Sequence, residues 1–377
     1  MKWKTIKHVT IAFSISLFIG LTAHVVYAEE SSGFSVTPVL EENQIEAGLG
    51  YFNLLLKPEQ KQTLKFNITN NGKTPVEVET SFGTAFTGDL GNVLYTPNKI
   101  KPVSSLKINI KDYVKLPKTV TVPAHGKTVV SAEVTMPHET FKGVIAGGFN
   151  FNEKENGANT KGSEGAKSGA SITNRYTYVI GLVLQNSKDK VDPALSLGTV
   201  TPSQVNGRNV ISANLKNSAM TYLLDMNIDV EVTKLNDSSI KYSFDNATLK
   251  MAPNSNFNLG IPVSIQGALK NGQSSVPLKA GKYQLEMTVY GNKNTNGKYQ
   301  SMVEGQITKY DYKWTFSKEF EITGNQAKTL NEKDVTIDHV KETPWMLYGL
   351  GLVILALTII IFILVYKSRK KKQEIES

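Results

Sequence analysis

Paired carboxylates are the groups in this chain that could do chemistry. Glu41 and Glu42 stand together in PVLEEN, and Glu77 and Glu79 alternate along VEVET. Two acids flanking a glycosidic bond are what a cell-wall glycan hydrolase needs, one as proton donor and one as base or nucleophile. Solvated surface charge has the same look, and nothing around either pair predicts a cleft. The five histidines offer less: His8 and His24 lie in the N-terminal segment, His125 in a turn, His138 after Pro137 and His339 in a polar stretch. None has metal-ligand spacing, and H-E-x-x-H is absent. The chain has no cysteine, which excludes thiolate catalysis and cysteine-held metal. G-x-S-x-G and a Walker loop are also missing, and the glycines of IAGGFNF precede no helix. The expectation is no catalytic residue, no metal, no cofactor and no enzyme.

What remains is adhesion. Tyr51 and Phe52 lie near the first strands, and Tyr95 and Tyr113 lie in the excursion over 87–115. An aromatic ring can stack on a sugar or a partner protein, so these four are the ligand-binding candidates. The alternative is that they pack a small core.

The elements that would position them are strands. Leu64, Phe66 and Ile68 alternate with Lys65, Asn67 and Thr69, and Val130, Ala132, Val134 and Met136 with Ser131, Glu133 and Thr135. Met226, Ile228, Val230 and Val232 repeat the pattern, as do Tyr283, Leu285, Met287 and Val289. One-sided burial with period two is what antiparallel sheets require. Turn signals such as NNGKTP, NGR and NGQ separate the runs. The predicted fold class is all-β, two immunoglobulin-like β-sandwich domains in tandem plus one C-terminal transmembrane helix. A repeated cassette supports the pair: KFNITNNGKTPVEVE is echoed by ANLKNSAMTYLLDMNIDVEV, and TVTVPAHGKTVV by LKMAPNSNFNLGIPV.

Domain limits follow from composition. Residues 154–170, KENGANTKGSEGAKSGA, carry no large apolar side chain and read as a flexible linker or a long hairpin loop. With the boundary set there, the first domain is 34–153 and the second 171–324; in the hairpin alternative, SITNRYTYVIGLVLQ closes the first sandwich. Residues 325–344 read as a polar stalk.

The two ends set the compartment. Residues 1–28 have a basic head (Lys2, Lys4, Lys7), an apolar stretch and Val26-Tyr27-Ala28 before the expected cleavage point, as in a signal peptide. From Trp345 to Tyr366 no residue is charged, and about 22 residues make roughly 33 Å of helix, enough to cross a bilayer. The tail over 367–377 opens with Lys367, Arg369, Lys370, Lys371 and Lys372, which marks it as cytoplasmic and leaves the N-terminus outside. Three of the nine formal positive charges belong to the first segment and a net three to the tail, leaving about +3 outside. The basic balance is therefore mostly a topology signal, and nucleic acid is not an expected partner. LPKTV at Leu116–Val120 has Val120 where a sortase signal needs glycine.

Several blocks resemble the WxL-interacting protein family. FSVTPVLEENQ, GYFNLLLKPEQKQTLKFNITNN and VKLPKTVTVPAHGKTVVSAEVTMPHETFKGVIAGGFNF are similar to its first domain. NRYTYVIGLVLQ, VNGRNVISANLKN, TLKMAPNSNFNLGIPV and AGKYQLEMTVYG with YKWTFSKEFEIT are similar to its second. The resemblance implies a surface protein of Gram-positive bacteria whose first domain binds peptidoglycan and whose second binds host. It implies secreted WxL-domain proteins as partners and host matrix proteins as a further class. This chain has no W-x-L of its own, since Trp3, Trp314 and Trp345 precede Lys, Thr and Met. The family pattern supplies no agreed contact residues, and the segment Tyr290–Tyr310 looks longer than a minimal hairpin. The expected function is a non-catalytic, single-pass scaffold at the cell surface; a wall hydrolase and a short-tailed sensor are the alternatives.

Overall fold

The structure is a computed structural model that describes residues 33–99, 103–154, 177–338 and 345–373. The expected signal peptide (1–28), nearly all of the expected linker, and residues 339–344 lie outside the described residues.

The first sandwich is built from β1 (Phe34–Val39), β2 (Phe52–Leu55), β3 (Lys61–Asn70), β4 (Val76–Thr84), β5 (Phe86–Gly88), β6 (Asn92–Leu94), β7 (Val114–Lys115), β8 (Thr119–Val122), β9 (Lys127–Thr135), β10 (Ile145–Glu153) and β11 (Thr177–Gln185). One sheet runs β1-β3-β9-β7 and the other β2-β11-β10-β4-β8, while β5 and β6 form a separate hairpin. The alternation read from the sequence decides which side faces in: Leu64, Phe66 and Ile68 are buried on β3, as are Val130, Ala132 and Val134 on β9. Phe66 lies centrally, 4.7 Å from the Phe149 ring and 5.5 Å from the Phe52 ring. Each such side chain contributes about 1.5–3 kcal/mol by leaving water.

The chain pairs differently from the expected boundary at one point. β11 is antiparallel to β10, with Phe149 opposite Ile180, and parallel to β2, with Leu182 opposite Phe52. Residues 177–185 therefore close the first sandwich instead of opening the second domain, as in the hairpin alternative. Ile180, Leu182 and Leu184 belong to the first core, which is the physical reason.

The second sandwich contains β12 (Leu195–Val205), β13 (Arg208–Asn217), β14 (Leu223–Lys234), β15 (Asp237–Met251), β16 (Ser255–Pro262), β17 (Gly281–Lys293), β18 (Tyr299–Val303) and β19 (Gln306–Ile322). Its sheets run β12-β13-β16 and β15-β14-β17-β19-β18. Ile228, Val230 and Val232 of β14 stand opposite Val289, Met287 and Leu285 of β17 across the ladder, and Met226 shares their core. Asn227, expected to point outward, is buried beside a register shift in β14 and donates to the Ser301 hydroxyl at 3.0 Å. The long segment after Tyr290 is a second hairpin, β18 paired with β19.

The expected stalk is partly folded onto the second sandwich. Helix α1 (Gly324–Lys333) starts in a capping box, in which Thr323 and Gln326 exchange side-chain and backbone hydrogen bonds. Ala327 and Leu330 pack on the second core. Beyond the helix, Val335 N donates to Gly207 O at 2.9 Å and Ser275 N to Thr336 O at 2.8 Å. A polar composition read as unfolded because only two apolar anchors mark it; buried polar bonds supply the rest. Helix α2 (Trp345–Gln373) contains Gly349–Lys367, 19 residues long and apolar enough to cross a membrane, with none of that stretch buried in the protein.

Candidate functional site

The two sandwiches meet along a junction with a core of its own. The hairpin β5–β6 leaves the first sandwich and inserts Thr87, whose hydroxyl accepts from Ala252 N at 3.0 Å and lies 2.5 Å from the Ser255 hydroxyl. Asp89 accepts from Asn258 N at 3.1 Å, and Gly91 O accepts from Lys250 N at 2.7 Å. Val144 N donates to Met220 O at 2.7 Å. Ala85, Ala146, Val183 and Ala252 are buried together beneath these bonds. Small residues are needed because backbones approach closely. At Gly143 (φ +87°) a Cβ would lie 2.1 Å from Met220 O.

The four aromatic candidates separate. Phe52 is fully buried in the first core, so the expectation that it could stack a ligand is corrected: on the short strand β2 the alternation turns Phe52 in and Tyr51 out. Tyr113 sits in a 3₁₀ turn, half-buried against the same core. Tyr51 and Tyr95 come together, because Gly148 and Gly181 are direct partners across β10 and β11 and leave room above the sheet. Tyr95 lies over Gly148 and Tyr51 over Gly181. A residue the sequence reading did not single out joins them: the Tyr222 hydroxyl of the second sandwich is 3.2 Å from that of Tyr95. Burial raises both hydroxyls above the usual tyrosine value, Tyr222 well above it, so the pair is neutral.

A cavity of about 280 Å³ opens where β4 and the hairpin face the turn before β16. Its apolar lining includes Phe82, Ala85, Val103 and Leu106, and its polar lining includes Asn109, Lys111 and Asn256. Asn109 uses its side-chain oxygen to accept from Thr84. Among the described residues its amide nitrogen, the Asn256 side chain and the exposed Lys111 ammonium have no partner. No acidic residue lines the cavity.

The carboxylate pairs are elsewhere. Glu77 is held by Lys154 at 2.9 Å, and Glu42 and Glu79 are exposed. None of the four acids lines this cavity. Among the described residues no cluster of three or more His, Cys, Asp or Glu could hold a metal ion.

Comparison with known proteins places these features. No curated protein matches the sequence. Solved structures similar in part include the CsuC–CsuE chaperone–tip adhesion subunit complex of Acinetobacter baumannii, at 12% identity, covering 72% of this chain and 97% of that one with a TM-score of 0.33. The chaperone–tip adhesin complex of CFA/I fimbriae biogenesis also matches, at 12% identity, 74% and 98% coverage and a TM-score of 0.29. At such scores the fold rests on the sheets described above. The family models are more specific: the WxL Interacting Protein peptidoglycan binding domain matches residues 34–153 and the host binding domain matches 167–332. The second match begins ahead of β11, which closes the first sandwich, so the sequence domains and the folded units divide the chain at different points. With the two models matching most of its length in the family's own order, the chain belongs to the WxL-interacting protein family.

Proposed function

We propose that the protein is a non-catalytic scaffold of the cell surface, anchored by α2, which binds peptidoglycan and secreted WxL-domain proteins and takes host matrix proteins as a further partner. The observation that carries this reading is the match of two binding-domain models to one chain whose sandwiches are joined through a buried junction. The apolar stretch of α2 supports the anchor, since about 19 residues rise roughly 28 Å, close to the thickness of a bilayer core. The basic run after Tyr366 supports a cytoplasmic C-terminus and an external N-terminus.

The folded α1 segment changes where the domains stand. Only residues 339–344 separate Asp338, the last described residue of the folded body, from Trp345. Seven peptide steps reach no more than roughly 25 Å, so the α1 end of the second sandwich stands within that reach of the start of α2.

Three measurements test the reading. Full-length protein in detergent should sediment with purified peptidoglycan; a folded sample left in the supernatant would remove the glycan role. Protease added to wall-stripped cells should digest the sandwiches, and their survival would reverse the orientation. Purification from native membranes should bring down a WxL-domain protein, and its consistent absence would remove that partner.

A further inference from the structure

We propose that the cavity between the two sandwiches is a subsite for one N-acylated sugar ring, with the acyl methyl on its apolar lining and the polar edge of the ring on Asn109 and Asn256. The inference rests on the peptidoglycan-binding reading and adds that the second sandwich contributes to the site.

Size comes first. At about 280 Å³ the cavity lies just under the roughly 300–1,000 Å³ usual for ligand pockets, which limits the occupant to about one ring. Chemistry narrows the class. Side-chain amides offer a donor and an acceptor on one plane, which suits hydroxyl and acetamido groups. Here one amide nitrogen and one whole amide are unpartnered among the described residues and line the cavity, while Phe82, Val103 and Leu106 give it an apolar patch. An acetamido sugar has both kinds of surface, and a plain hexose lacks the methyl. Lys111 and the lack of any acid favour a neutral or anionic occupant over a cationic one.

The site is also built across the junction. Asn254, Ser255 and Asn256 come from the second sandwich, the last two on β16, while Phe82, Val103, Leu106 and Asn109 come from the first. The Thr87–Ser255 contact and the Val144–Met220 bond fix that distance.

The test uses full-length protein in detergent and two soluble probes. N,N′-diacetylchitobiose carries the acetamido group, and cellobiose has the same linkage without it. Saturation-transfer NMR should show chitobiose bound, with the largest transfer on its acetyl methyls, and cellobiose not bound. Val103→Trp fills the apolar side and Asn256→Leu removes the partner amide. Each should lower chitobiose binding and retention on peptidoglycan at least tenfold while melting like the wild type. Equal binding of both sugars, or no binding of chitobiose, overturns the subsite whatever the variants do. Wild type retained on peptidoglycan together with folded variants retained equally well overturns the subsite and leaves the peptidoglycan reading standing. Chitobiose bound in the cavity by a protein that peptidoglycan does not retain supports the subsite and removes the wider reading. A variant that fails to fold leaves the decision to the wild-type comparison of the two sugars.

Discussion

Asn70 and Asn217 occupy the same place in the two sandwiches and make the same hydrogen bonds. Asn70 donates its side-chain amide to Thr74 O at 2.8 Å and to Pro123 O at 3.1 Å. Asn217 donates to Thr221 O at 2.7 Å and to Ala252 O at 3.3 Å. Each accepts on its side-chain oxygen from the backbone two residues on, Gly72 N or Ala219 N. In the opposed turn a left-handed residue completes the device: His125 (φ 50°) donates its N–H to Gly72 O, and Asn254 (φ 46°) donates its own to Ala219 O. Both asparagines are buried, so their bonds replace water that the turns have lost.

Asn217→Asp should therefore harm more than its shape suggests. It sets a carboxylate oxygen against Thr221 O and Ala252 O in a site with no exposure. The expected loss is about 3 kcal/mol or more, which corresponds to a melting-point drop of roughly 6–12 °C. Thermal unfolding followed by circular dichroism reads it. A drop under about 2 °C would mean that the cassette is ornament and not a clamp.

That cassette was visible in the sequence because its ends are local: an Asn-rich turn, a proline turn and the strands around each. Strand alternation was visible for the same reason, and Leu64, Phe66 and Ile68 faced inward as their spacing required. What local pattern could not carry was partnership. Residues 177–185 read as a strand, yet their pairing with β10 spans the stretch between 154 and 177. Tyr222 meets Tyr95 across 127 positions, and nothing near either tyrosine announces the other. Phe52 and Tyr51 were both seen as aromatics, but a four-residue strand is too short to show the phase that buries one of them. The T-x-x-Q box of α1 was present in the chain; its polar composition hid it.

Asp334 should give the second sandwich an acid-sensitive lock. Burial alone would raise its pKa, but hydrogen bonds from Ser264, from Thr336 and from Asn209 N outweigh burial and hold it below the usual carboxylate value. A carboxylate whose pKa is depressed on folding contributes stability above its unfolded pKa, near 4, and loses it as pH falls through the folded value. The α1 segment should thus detach before the sandwich melts as pH drops below about 4. Hydrogen exchange at Val335 and Thr336 measures this, since both N–H groups are bonded within the lock. Asp334→Asn should flatten the pH dependence and cost roughly 2–3 kcal/mol at neutral pH, because donors would face an amide nitrogen. Protection factors, which are the rates corrected for the intrinsic pH dependence of amide exchange, unchanged between pH 6 and pH 3 would assign the hold to apolar packing instead.

Thr87→Val tests whether the hairpin is a polar latch. Valine keeps the volume and removes the hydroxyl that accepts from Ala252 N and contacts Ser255. Thr87 is buried, so an N–H is left without a partner at a cost of about 1–3 kcal/mol. Ser255 still bonds Ala252 O, so the turn itself should hold. The loss should appear as earlier protease cleavage between the sandwiches, with the unfolding of each one little changed.

Gly143→Val probes the same junction through the backbone. Position 143 has φ +87°, where a β-branched residue is strained, and its Cβ would fall 2.1 Å from Met220 O. Neither side can yield cheaply, because Met220 O is backbone and accepts from the adjacent Val144 N. The strain, about 1–3 kcal/mol, has one easy outlet: the two sandwiches move apart. Each keeps its own core, since the buried sets of the two do not include Gly143. Small-angle scattering should then report a longer particle with a broader distance distribution, and a protease should cut within 186–194, between β11 and β12. If the profile and the cleavage pattern match the wild type, the junction tolerates the side chain and the body is not held where Gly143 meets Met220.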